Sequence, residues 1–385
     1  MDKTYYSRFT RQALLLIASI ALLAGCELPP NKTAQWGFRG TGMVDVEHPA
    51  TMQANFAANQ VPEGIPAADP SGPRASQVYK NVQVLGDLSA GQFTRVMLSI
   101  SNWVAPQQGC AYCHNLANFA DDSLYTKVVA RKMLQMTRHI NSDWKTHVQG
   151  TGVTCYTCHR GNPVPAYVWF KDEGPRTAMG YLGNRMGVGS PKPSMGNSSL
   201  PFDPFTNYLD NKENIRMAAT TALPTGEDRQ SIKQTEWTYA LMMHFSKSLG
   251  VNCTFCHNTR AFADWKQSTP ERSVAWYGIR MVRDLNNDYM KPLTEVFPAH
   301  RLGPTGDVAK TYCATCHQGV YKPLYGVSMA RDYPELQGPS PSVVVAPAAK
   351  DSSEESSPKK NKKSRSNASA KLEAEIGSAA KTAAN

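Results

Sequence analysis

Eight cysteines of this chain fall into four pairs of one spacing, and a histidine follows each pair at once: "CAYCH" from Cys110, "CYTCH" from Cys155, "CTFCH" from Cys253 and "CATCH" from Cys313. No other feature constrains the fold as much. Two sulfurs three positions apart on a helical turn meet one porphyrin edge, where they can form thioethers to its vinyl groups, and the next histidine turns toward the iron. That is the attachment signature of c-type haem. A lone Cys-x-x-Cys would suit a zinc knuckle or a redox disulfide equally well. Four copies, each followed by histidine, assign covalent haem to Cys110 and Cys113, Cys155 and Cys158, Cys253 and Cys256, and Cys313 and Cys316, with His114, His159, His257 and His317 on the irons. Four porphyrins would then form the core, as suits a chain with 27 Gly and 26 Pro.

The remaining cysteine, Cys26, closes the N-terminal stretch. Lys3, Arg8 and Arg11 precede an apolar run of 13 residues from Ala13 to Gly25, too short to span a bilayer but suited to the core of an export signal. Its end, "LAGC", resembles the lipobox of bacterial lipoproteins, in which the signal is cut before Cys and that Cys is acylated. A lipid on Cys26 would hold the mature protein on the outer face of a membrane. The formal net charge of +10 falls once the signal leaves, and the segment from Lys350 onward carries eight basic and five acidic residues. Haem propionates offset most of what remains, so charge names no partner and no nucleic acid is expected.

The fold expected is mainly α with extensive coil, built of duplicated two-haem modules of the multihaem cytochrome c type. Residues 1–25 read as a signal peptide, and 26–91, rich in Pro, Gly and Ala, as lipid-anchored coil that wraps rather than packs. A first two-haem module spans 92–160, a connector 161–226, a second module 227–332, and a basic tail, expected to be disordered, 333–385. Helical periodicity appears in "QFTRVMLSISNWV", "VVARKMLQMTRHI", "WTYALMMHFSKSL" and "SVAWYGIRMVRDL", one stretch before each haem motif. The halves repeat: "CAYCHNLANFADDS" matches "CTFCHNTRAFADWK", and "MTRHINSDW" matches "MVRDLNNDY" about 145 residues on.

The sixth iron ligand decides what such a protein can do, because a vacant position binds small molecules while Met or His closes it to all but electrons. Apolar helix faces offer Met97, Met133 and Met242, the last favoured over Met243 by the repeat; packing is the commoner fate of a helical methionine. In the fourth helix the repeat aligns Met133 with Gly278, so the ligand position carries glycine, which costs about 1 kcal/mol in mid-helix and suggests a close porphyrin approach. That haem must find its ligand elsewhere. His139, His244 and His48 do not occupy ligand positions; His300, near Cys313, and His147, from the other half, both remain candidates.

These features together resemble the tetrahaem cytochrome subunit of the photosynthetic reaction centre of purple bacteria. The resemblance runs from the lipobox to about Tyr325, through the four motifs, the Met residues 13, 22 and 11 positions before a first cysteine, and "TPERSVAWYGIRMVRDLN". It implies axial pairs Met97 with His114, Met133 with His159 and Met242 with His257, and gives the haem at Cys313 both His317 and His147. It implies an electron relay, not an enzyme. A soluble cytochrome c or high-potential iron–sulfur protein would reduce the outermost haem, at the first motif. Electrons would leave from the third motif for the photo-oxidised bacteriochlorophyll pair of the L and M subunits, at the periplasmic face of the inner (photosynthetic intracytoplasmic) membrane. Arg272 matches an arginine beside the haem nearest that pair, where a positive charge raises the potential. A multihaem small-molecule reductase or a generic periplasmic wire are the competing readings.

Overall fold

In the computed structural model the described residues are 30–35, 42–172, 192–215, 217 and 232–338. The signal peptide, Cys26, much of the connector and the tail after 338 lie outside the described residues. The chain is helix-rich, with a two-stranded antiparallel sheet of β1 (Lys32–Gln35) and β2 (Val44–Glu47) and long stretches of coil.

Each stretch of helical periodicity forms a helix. Helix α2 (Ala90–Val104) starts at a capping box, in which Ser89 Oγ accepts from the Gln92 N–H at 3.1 Å while Gln92 Oε1 accepts from the Ser89 N–H. It stops at Ala105, which precedes Pro106 and is thereby disfavoured in the α region. Helix α3 (Tyr125–Asp143) and helix α5 (Ile232–Leu249) are the longest. Helix α6 (Pro270–Asp284) has Pro270 in its first turn, where the missing N–H leaves no bond unmade.

Two of the haem motifs form short helices, α4 (Cys155–His159) and α7 (Cys313–His317). Each ends on a left-handed residue, Arg160 at φ 51° and Gln318 at φ 49°, followed by a glycine at positive φ, Gly161 or Gly319. The two glycine N–H groups then bond back to a long helix earlier in the same half: Gly161 to the Trp103 carbonyl of α2 and Gly319 to the Ser248 carbonyl of α5, both at 2.8 Å. So α2 packs on α4, and α5 on α7. The motif helices α4 and α7 meet at the centre, where Arg160 Nη2 donates to the Cys316 carbonyl at 3.3 Å and Gln318 Nε2 to the Cys158 carbonyl at 3.4 Å.

Two expectations need correction. The segment before residue 91 is not all coil, since besides the sheet it forms helix α1 (Pro49–Ala58), whose C-terminal cap reaches the junction of α4 and α7. Asn59, 2% exposed, donates to the Gln318 carbonyl and accepts from Arg160 and from the Leu324 N–H. Nor does disorder begin at 333: Tyr333 and Leu336 are buried in the same cluster as Val96 and Trp103, and Glu335 forms a buried ion pair with Arg95 at 3.2 Å. Two apolar side chains three positions apart in "DYPELQ" are enough to hold this end down.

Candidate functional site

The four motif histidines share one arrangement. His114 Nδ1 bonds the Phe119 carbonyl at 3.2 Å and His257 Nδ1 the Phe262 carbonyl at 2.9 Å, each five residues on. His159 Nδ1 bonds the Asn162 carbonyl at 2.9 Å and His317 Nδ1 the Val320 carbonyl at 3.2 Å, each three residues on. A carbonyl only accepts, so Nδ1 carries the proton and Nε2 keeps its lone pair. This is the tautomer, with its outer partner in place, of a metal-ligating histidine.

His147 makes the same bond across the molecule, from Nδ1 to the Val274 carbonyl of α6 at 2.9 Å. It stands on a single helical turn (Lys145–Val148) that packs on α6. Its imidazole lies against Gly278: a Cβ there would come within 2.6 Å of Cε1 and 2.9 Å of Nδ1. The glycine therefore makes room for an imidazole, and the porphyrin approach expected from the sequence is not needed to explain it. The ring centroids of His147 and His317 are 6.1 Å apart. Two metal–nitrogen bonds of roughly 2 Å each, plus the half-widths of two rings, come to about that distance. The pair fits an iron between them.

The other histidines differ. His139 uses both ring nitrogens on carboxylates, Asp143 at 2.7 Å and Asp284 at 2.5 Å. His244, fully buried, bonds the Ser194 carbonyl and stacks on Tyr312, and Ser248 Oγ stands 3.3 Å from its Nε2. His48 accepts from the Ala50 N–H at the start of α1, and His300 lies exposed on the turn Ala299–Arg301. His139 and His244 thus have both ring nitrogens engaged.

Burial sets the charge states. It lowers the pKa of His114, His147, His159 and His257, and takes His317 down to about 4, with His147 as the next cause. These imidazoles are neutral at neutral pH, the form that binds a metal. Burial also pushes the thiols of Cys155 and Cys313 up to about 12, and those of Cys113 and Cys256 up to about 11. Among the described residues no three side chains of His, Cys, Asp or Glu converge as a zinc knuckle requires.

Met97 on α2, Met133 on α3 and Met242 on α5 are all half-buried, beside the clusters that hold Trp103, Leu293 and Leu241 respectively. Met243, the neighbour disfavoured by the repeat, faces the turn at Gly196. Arg272 donates from Nη1 to Ser268 Oγ at 2.7 Å and lies over the Trp265 ring at 4.0 Å. Burial lowers its pKa, with the sulfur of Cys256 and the carboxylate of Asp264 opposing. Sequence reasoning passed over the junction of His139 with Asp284, into which Trp144 Nε1 also donates at 2.7 Å. A signal was present, because the internal repeat aligns His139 with Asp284.

The family model described as "Photosynthetic reaction centre cytochrome C subunit" matches residues 27–337. The photosynthetic reaction center cytochrome c subunit of Rubrivivax gelatinosus is 55% identical over 86% of this chain and 90% of its own length. The protein of the same name from Thermochromatium tepidum is 52% identical over 89% and 86%, and that from Roseobacter denitrificans 41% identical over 80% and 86%.

Proposed function

From the premise that the chain belongs to the photosynthetic reaction centre cytochrome c subunits, we propose how its own residues carry out their task. It is an electron-transfer subunit with covalently bound haem c, associated with the L and M subunits of a membrane-bound reaction centre. No helix among the described residues is long and apolar enough to cross a membrane. Lipid on Cys26 would hold the subunit to the periplasmic face.

Four haems are attached, at the four Cys-x-x-Cys pairs, and form the core of two haem-pair modules. Supporting this are bonds that recur at matching positions: Gly161 to Trp103 and Gly319 to Ser248, and Thr126 to the Tyr112 carbonyl and Thr269 to the Phe255 carbonyl, the last two both at 2.6 Å. Bound haem supplies a one-electron iron couple. His114, His159, His257 and His317 would each hold one iron, and Met97, Met133, Met242 and His147 would supply the second ligand. Closed on both faces, these sites keep small molecules out and leave electron transfer as the chemistry. A thioether raises the potential relative to a second imidazole, so the site of His147 and His317 is set lower than its neighbours by ligand type. Arg272, beside the third motif, adds a positive charge that disfavours the oxidised iron. Electrons enter from a soluble cytochrome c or high-potential iron–sulfur protein at the first motif and leave at the third for the photo-oxidised pigment pair.

The observation that carries this reading is the 6.1 Å spacing of His147 and His317, which supports one ligand set drawn from both halves. Flash excitation of membranes containing the complex is expected to oxidise haem within microseconds. Membranes with an intact complex and no flash-induced haem oxidation would leave only the generic wire.

A further inference from the structure

The loop that follows the first motif closes on a buried cation. The ammonium of Lys127, in the first turn of α3, donates to the Phe119 carbonyl at 2.8 Å and to the Asp121 carbonyl at 2.8 Å. The Phe119 carbonyl is the one that also accepts from His114 Nδ1. Lys127 is 6% exposed. Its carboxylate partner, Asp122 at 3.0 Å, lies at the surface and is shared with Arg131 at 2.8 Å. With Asp121 also beside Lys127 the cluster balances in formal charge, but its buried member is the ammonium, and that sits beside the proximal histidine.

The matching loop of the second half lacks this cation. The equivalent bonds of Thr126 and Thr269 place Lys127 and Pro270 at corresponding positions. There His257 Nδ1 bonds the Phe262 carbonyl at 2.9 Å, and the nearby cation, Arg272, reaches the next carbonyl, that of Ala263, only at 3.4 Å. One loop of the pair therefore loads its histidine-accepting carbonyl with an ammonium.

A carbonyl that already accepts from a cation draws less on a second donor. The Nδ1–H bond of His114 is weakened, its ring stays less electron-rich, and Nε2 donates less to a ferric iron. The field of a desolvated positive charge acts in the same direction. We propose that Lys127 is a positioning residue that acts through the Phe119 carbonyl and His114 to hold the potential of the first-motif haem above the value its axial ligands alone would set. This rests on the assignment of His114 and Met97 to that haem.

The test is an equilibrium redox titration of the purified haem-loaded subunit, resolved into its four steps by absorbance and by the resonances of the ferric low-spin irons. Lys127→Met keeps the apolar stem and removes the ammonium; Lys127→Arg keeps the charge. The expected result is a fall of one step by at least tenfold in its equilibrium constant, about 59 mV for one electron, with three steps unmoved and most of the loss restored by arginine. The step that moves should be the one displaced by Met97→His. If Lys127→Met fails to fold, Lys127→Gln, which keeps a neutral donor, should lower the same step. A lower melting temperature with all four potentials unmoved, or a shift of a different step, would overturn the proposal. Haem counting on the unaltered protein reads the underlying assignment separately, because fewer than four haems would sink that reading instead.

Discussion

One missing methyl group decides where His147 stands. Alanine at 278 would favour helix α6 by about 1 kcal/mol, yet its Cβ would lie 2.6 Å from the His147 ring, so the local gain is set against a displaced imidazole. Gly278→Ala is expected to leave the helix content intact and open one iron. The reduced variant should bind one equivalent of carbon monoxide where the unaltered protein binds none, and His147→Met should instead raise the potential of the haem at Cys313 alone. Unchanged carbon monoxide binding and an unchanged titration would together remove His147 from the ligand set. The gap at Gly278 was legible in the repeat, but its occupant was not. Choosing between His147 and His300 needs the fold, because the short turn carrying His147 is aimed at α6 by tertiary contact and not by spacing.

Among the elements, α3 and α6 meet end to end through His139, Asp284 and Trp144. Burial works against the charge on Asp284, but hydrogen bonds from His139, Asp288 and Trp144 outweigh it and hold the carboxyl below its ordinary value. A depressed carboxyl stabilises the folded state above its unfolded pKa of about 4, and that contribution is lost as pH falls through the lower folded value. Asp284→Asn should therefore lower the melting temperature at neutral pH and flatten the acid limb of its pH dependence below about pH 4. An acid limb as steep as before would show that this junction is not what titrates. The four long helices were readable because each has an apolar face at helical period. Helix α1 was not, since none of its residues is buried and it is held by Asn55 and Asn59 rather than by an apolar stripe.

At the scale of the whole molecule, the segment before α2 and the end after Asp332 both return to the packed helices. Arg95 joins them: it is 5% exposed, donates to the Ile65 and Asp332 carbonyls, pairs with Glu335 and lies 3.8 Å above the Tyr333 ring. Glu335→Ala leaves that guanidinium buried without its carboxylate and should cost about 3–5 kcal/mol. Thermal unfolding of the haem-loaded subunit would measure it, and a cost under about 1 kcal/mol, the range of an exposed pair, would show that solvent reaches the site. None of this was visible from composition, which reads both ends as unstructured.

The contact between α4 and α7 also bears on how the haems are attached. Cys158 and Cys316 lie side by side at this contact, and Arg160 and Gln318 cross over the seam between them. An attachment enzyme needs access to both sulfurs, and with the helices docked both cysteines are only part-exposed. Attachment at these two motifs is therefore expected to be easier while the halves are still apart. Closing the seam after attachment would then bring His147 to an iron held in the other half.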